Sequence, residues 1–110
     1  MKVLIAALLA GASMAPAQAP KKQTFIGTIS DDMCALTGHA AMRMGPTDAD
    51  CTRACVSAHG ASYVLADGKN VYVLSDQKAP ERFAAMKVKV VGRLNTTTKT
   101  IQVESIVAEK

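Results

Sequence analysis

The chain has 110 residues, 49% of them hydrophobic and 20% charged, with a formal net charge of +4 at pH 7. That length holds one domain with one modest core, and the charge is spread without a block of five or six like charges, so nothing supports a nucleic-acid-binding tail. The four aromatic side chains, Phe25, Tyr63, Tyr72 and Phe83, do not cluster with Lys or Arg in an RNA-binding pattern.

The first 17 residues predict a secretory signal peptide: Met1-Lys2 is a short basic start, residues 3–12 are apolar, and small residues follow. Ala15-Pro16-Ala17 meets the small-x-small rule, whereas a cut after Ala19 would leave Pro20 immediately behind it, so cleavage is expected after Ala17. The apolar run is too short to span a bilayer, and no cysteine follows it to carry a lipid. Removal of 17 of 110 residues leaves about 93 and, with Lys2 gone, lowers the charge from +4 to +3. A periplasmic or secreted protein is the expectation.

Residues 18–23 form a polar lead-in expected to be disordered. Residues 24–30, TFIGTIS, predict the first strand, with Phe25, Gly27 and Ile29 on one face and Ile26 on the other. Gly27 marks a bend of the kind found at a small barrel's corner. Asp31 and Asp32 end the strand, where solvation is the expected role of both carboxylates. Residues 33–46 support no regular element beyond a helical turn over 40–44. Thr47 then opens a helix over 48–59, with a hydroxyl at the N-cap, Asp48 and Asp50 in the first turn and Gly60 as the stop. Helical spacing places Cys51, Ala54, Cys55 and Ala58 on its inward face, with Arg53 and Ser57 opposite.

Residues 62–66 and 71–75 flank Asp67-Gly68-Lys69-Asn70, a strong hairpin signal. Residues 79–86, with Pro80 near the start, predict two turns of helix. Residues 87–94 and 100–107 alternate as strands around a turn at 95–99, with a bulge expected at Val91-Gly92. Five strands with a short helix between the third and fourth follow the order of an OB-fold. The predicted architecture is therefore mainly β: a five-stranded OB-like barrel over residues 24–110, carrying a helical Cys/His insertion between strands 1 and 2.

All three cysteines and both histidines fall between Cys34 and His59, together with Met42 and Met44. Cys34, His39, Cys51 and Cys55 make a Cys3His set that suits tetrahedral zinc and, with Met42 or Met44 joining, monovalent copper. Export sets copper ahead of zinc, because soft donors hold the reduced ion. His59 is a further candidate donor, though its place at the helix end equally suits a cation against the dipole.

The same residues have a plainer reading. Outside the cytoplasm thiols oxidise, so Cys34 pairing with Cys51 or Cys55 would staple the insertion to its helix for roughly 2–4 kcal/mol and leave one thiol over. Cys51 with Cys55 is the harder pair, since i, i+4 Cβ atoms stand about 5–6 Å apart and a disulfide wants about 4 Å.

TFIGTIS followed by Asp-Asp-x-Cys, the CTRACV segment, the SYVLADGKNVYVLSD hairpin and the closing FAAMKVKVVGRLNTTTKTIQVESI resemble small secreted bacterial OB-like domains of uncharacterised function. The resemblance covers essentially the whole chain after the leader. It implies the fold and a recurring Cys/His set, and carries no activity with it.

No Ser/His/Asp order, GxSxG elbow or phosphate loop is present, so a non-catalytic module is expected. A redox role for the CxxxC unit would need an exposed thiol at a helix N-terminus, for which Cys51 is the candidate. The competing function is a disulfide-stapled domain that binds an oligosaccharide, a peptide or another partner on its barrel face, with Tyr63 and Tyr72 as stacking residues.

Overall fold

The structure, a computed structural model, describes residues 20–110; the expected signal peptide over residues 1–17 lies outside them. Five strands, β1 (Lys22–Asp31), β2 (Tyr63–Ala66), β3 (Val71–Leu74), β4 (Lys87–Asn95) and β5 (Thr100–Ala108), close into a barrel in the order β1-β2-β3-β5-β4. All neighbours are antiparallel except β3 and β5, which close the barrel in parallel through Val73 with Thr100 and Leu74 with Ile101. This order and pairing are consistent with an OB-like fold.

β1 is the strand both sides of the barrel share: residues 22–28 pair with β4, and residues 28–31 pair with β2. The handover falls at Gly27 and Thr28, where the sequence predicts the corner. A Cβ on Gly27 would stand 2.6 Å from the Ala66 carbonyl oxygen, so the strands cross too closely for any side chain.

Ile29, Tyr63, Leu65, Leu74, Val88, Val90, Ile101 and Ile106 form the core, with Phe25, Tyr72 and Val56 packed against it. Each fully buried aliphatic side chain contributes about 1.5–3 kcal/mol relative to exposure. The hairpin turn between β2 and β3 is as expected: Gly68 takes φ 93°, and the Asp67 carboxylate accepts the N–H groups of Lys69 and Asn70 at 3.3 and 2.8 Å.

Three expectations require correction. β1 begins at Lys22, so the end of the presumed lead-in is strand, paired to Arg93 and Gly92 and held by a 2.9 Å ion pair from Lys22 to Glu104. The bulge expected at Val91/Gly92 is present, with its extra residue on β5: Val91 pairs with Ser105 and Gly92 with Val103, which leaves Glu104 unpaired between them. The segment at 79–86 is a 3-10 helix over Ala79–Phe83 rather than two α-helical turns. The chain leaves it because Ala84 bridges to Ile29, with Ala85 at φ 63° donating to the Ile29 carbonyl at 2.8 Å. The helical turn near 40–44 is likewise 3-10, over His39–Met42.

One α-helix, α1 (Asp48–His59), lies in the insertion between β1 and β2. Val56 packs it on the barrel core, and the Arg53 guanidinium donates to the Glu81 carbonyl at 3.0 Å. Among the described residues no helix is long and apolar enough to cross a membrane.

Candidate metal centre

The site is built where β1 runs out and α1 lies back across it. Thr47 caps α1 by accepting from the Asp50 N–H at 3.1 Å, and Gly60 ends it in the left-handed conformation, with its N–H returned to the Cys55 carbonyl. The buried residues of the helix are Cys51, Thr52 and Cys55; Ala58, expected inward, is exposed. The face is shifted because α1 must cover the end of β1 as well as the loop in front of it.

Cys34 enters from the other side, on a turn that the Asp31 carbonyl starts by accepting from Cys34 and Ala35 at 3.3 and 3.0 Å. The three sulfurs form a small buried cluster of their own, with Met44 and Ala61 packed on it. Cys34 is 3% exposed and Cys51 and Cys55 are 0% exposed, so no thiol is available to a redox partner at the surface. All three are free thiols; the disulfide of the alternative reading is not formed.

Gly45 lets the loop between β1 and α1 lie on the first turn of the helix. A Cβ there would meet the Asp50 Cβ at 2.8 Å and the Cys51 nitrogen at 3.2 Å. The close approach wraps residues 42–44 around the Cys51 sulfur, which donates to the Met42 carbonyl and accepts from the Met44 N–H, both at 3.3 Å. An amide aimed at a ligand sulfur fixes its direction. An ion pair from Arg43 to Asp48 at 2.8 Å pins the same loop to α1.

Two donor groups result, and they share Cys34. A ring nitrogen of His39 and the sulfurs of Cys34 and Cys51 lie within 4.8 Å of one another, and so do a carboxylate oxygen of Asp31 and the sulfurs of Cys34 and Cys55. Donors on a tetrahedral zinc ion sit about 3.8 Å apart for Zn–S bonds of about 2.3 Å, so side-chain adjustment alone can close either group on an ion.

Two of the polar atoms left without partners belong to residues of these donor groups. His39 Nδ1 and Asp31 Oδ1 are buried and unpartnered, as is the Thr52 hydroxyl. A buried donor or acceptor without a partner costs about 1–3 kcal/mol, and a cation between the sulfurs is what would use the first two. Burial pushes the Cys34 thiol from 9.0 up to about 12, with the Asp31 charge and then the Cys55 and Cys51 sulfurs adding to the effect. Burial and Asp31 raise the Cys55 thiol as well. Cys34 and Cys55 therefore hold their protons more tightly than ordinary thiols, whereas a metal needs thiolates.

Of the residues singled out in the sequence, Cys34, Cys51 and Cys55 cluster together, and His39 joins Cys34 and Cys51. Met44 packs on the thiols, Met42 is 42% exposed and contributes its carbonyl, and His59 sits exposed at the end of α1 outside both donor groups. Asp31 was expected in solvent and is 0% exposed, because α1 and the loop close over the end of β1. Its signal was parity: Phe25, Gly27 and Ile29 define the inward face, and Asp31 is the next residue on it. On the barrel, Tyr63 is 3% exposed and Tyr72 packs against Phe25 at 5.6 Å between ring centroids, which removes Tyr63 as a stacking platform.

No protein-family model matches the chain, and neither a curated protein nor a solved structure matches it significantly.

Proposed function

We propose that this protein is an exported, non-catalytic metal-binding module in which Cys34, His39, Cys51 and Cys55 hold one zinc or copper ion. The observation that carries the reading is the cluster of three buried free thiols, two of which, Cys34 and Cys51, lie within 4.8 Å of a ring nitrogen of His39, whose Nδ1 is buried without a partner. Buried polar groups are otherwise satisfied in folded proteins, and sulfur with imidazole is the donor set of soft and borderline ions. Export rests on the leader pattern of residues 1–17. In such a module the barrel is the scaffold: β1 fixes one side of the site, α1 the other, and the loop between them supplies His39 and shields the sulfurs from water.

Titration of the reduced protein with zinc, or anaerobically with monovalent copper, is expected to end at one equivalent and to release at least two protons per ion. Cys34 and Cys55 keep their protons at neutral pH, because both thiols are raised. The ion must displace them, so apparent affinity rises with pH, roughly tenfold per unit for each proton displaced. Absence of binding, or binding that neither releases protons nor depends on pH, contradicts the reading.

A further inference from the structure

We infer that Asp31 is itself a metal ligand, and that its carboxylate tunes the site to a divalent ion, zinc, over monovalent copper. This rests on the metal-site reading above, adds Asp31 to its four donors as a fifth, a coordination number zinc also takes, and names the ion that site selects.

Asp31 is 0% exposed. Its two oxygens have different jobs: Oδ2 accepts the N–H groups of Met33 and Cys34 at 3.2 and 3.1 Å, whereas Oδ1 is buried and has no partner. The ion pairs among the described residues are all at the surface, linking Lys22, Arg43, Arg53 and Arg93 to Asp48, Asp50 and Glu104, and none includes Asp31. A carboxylate removed from water without a cation is expensive to keep. Here the sulfurs of Cys34 and Cys55 lie within 4.8 Å of a carboxylate oxygen.

Thiolates beside a carboxylate repel one another, and a cation between them reverses that repulsion. An ion on Oδ1 and the two sulfurs would partner the orphan oxygen and neutralise all three groups in one step. The turn over residues 31–34 needs only Oδ2, and an asparagine amide oxygen can accept the same two N–H groups. The charge on the remaining oxygen therefore has no structural task in the turn. A hard oxygen donor and a concentration of negative charge favour a divalent borderline ion; monovalent copper is held by sulfur and gains little from a carboxylate.

The test compares the reduced wild-type protein with Asp31→Asn, titrated with zinc and, anaerobically, with monovalent copper against competing chelators. The expected result is a loss of roughly 100-fold in zinc affinity with a change of less than about threefold for copper. Equal losses for both ions, or no loss for zinc, overturn the inference. A second measurement needs no variant: the 13C carboxyl resonance of Asp31 in the wild-type protein is expected to move on zinc loading and to stay in place on copper loading. A stationary resonance with zinc bound overturns the role of Asp31 while leaving the thiol site standing. A wild-type protein that binds neither ion overturns both readings.

Discussion

Stripping the ion from the loaded protein lowers its melting temperature by roughly 15–30 °C. A ligand bound by the folded chain alone stabilises it by about 4 kcal/mol when present at about 1,000 times its dissociation constant. For a domain of this size each kcal/mol moves the midpoint by about 4–8 °C. The effect is large because the ion would cross-link the turn after β1 to α1 through their buried thiols. Cys34 sits on the turn after β1 and Cys51 and Cys55 on α1, and among the described residues the thiol cluster holds Met44 and Ala61 as further apolar partners. Thermal melts of the same sample with zinc and with excess chelator, under reductant, read the difference directly. A shift below about 3 °C would mean that the insertion folds without help and that the metal is no part of its stability.

Gly92→Ala, far from the thiols, is expected to cost about 3 kcal/mol or more. Gly92 follows Val88 and Val90 on the inward face of β4, at the point where Glu104 is squeezed out of β5. A Cβ there would overlap the Gln102 carbonyl oxygen and stand 2.9 Å from the Ile101 side chain. Neither neighbour yields cheaply: the carbonyl belongs to the β4–β5 ladder, and Ile101 is a fully buried core residue that also closes the barrel against Leu74. Overpacking of this kind costs about 1–3 kcal/mol when side chains can move and more when backbone must. Urea denaturation should place the midpoint well below wild type with a similar slope. A loss under about 1 kcal/mol would show that the bulge absorbs the methyl group by sliding.

The barrel was legible because its signals are local. Alternation in β4 and β5, the Asp67-Gly68 turn and the glycine in β1 each specify their element without reference to the rest of the chain. What escaped depends on long-range closure. The extension of β1 back to Lys22 exists because β4 is long enough to pair it, and the early end of the 3-10 helix at Phe83 follows from Ala84 reaching Ile29. Neither partner can be read from the segment itself.

The candidate site divides in the same way. The composition of residues 34–59 announced the thiols and the imidazole, and the helix cap at Thr47 placed Cys51 and Cys55 correctly on α1. Asp31 was hidden by its chemistry: an acid beside another acid at a strand end reads as solvent-facing, and only the alternation from Phe25 through Ile29 points it inward. Asp32, one residue on, is exposed and accepts the Ser62 N–H at 3.2 Å. Met42 and His59 show the converse, soft or basic side chains near the thiols in sequence that the fold leaves exposed.

The central claim is that the three buried cysteines are ligands, and it is tested most directly by counting metal and thiols on one sample purified without chelator or reductant. The account predicts about one equivalent of zinc or copper and three thiols that react only after denaturation in chelator. One disulfide, one thiol and no metal would contradict it.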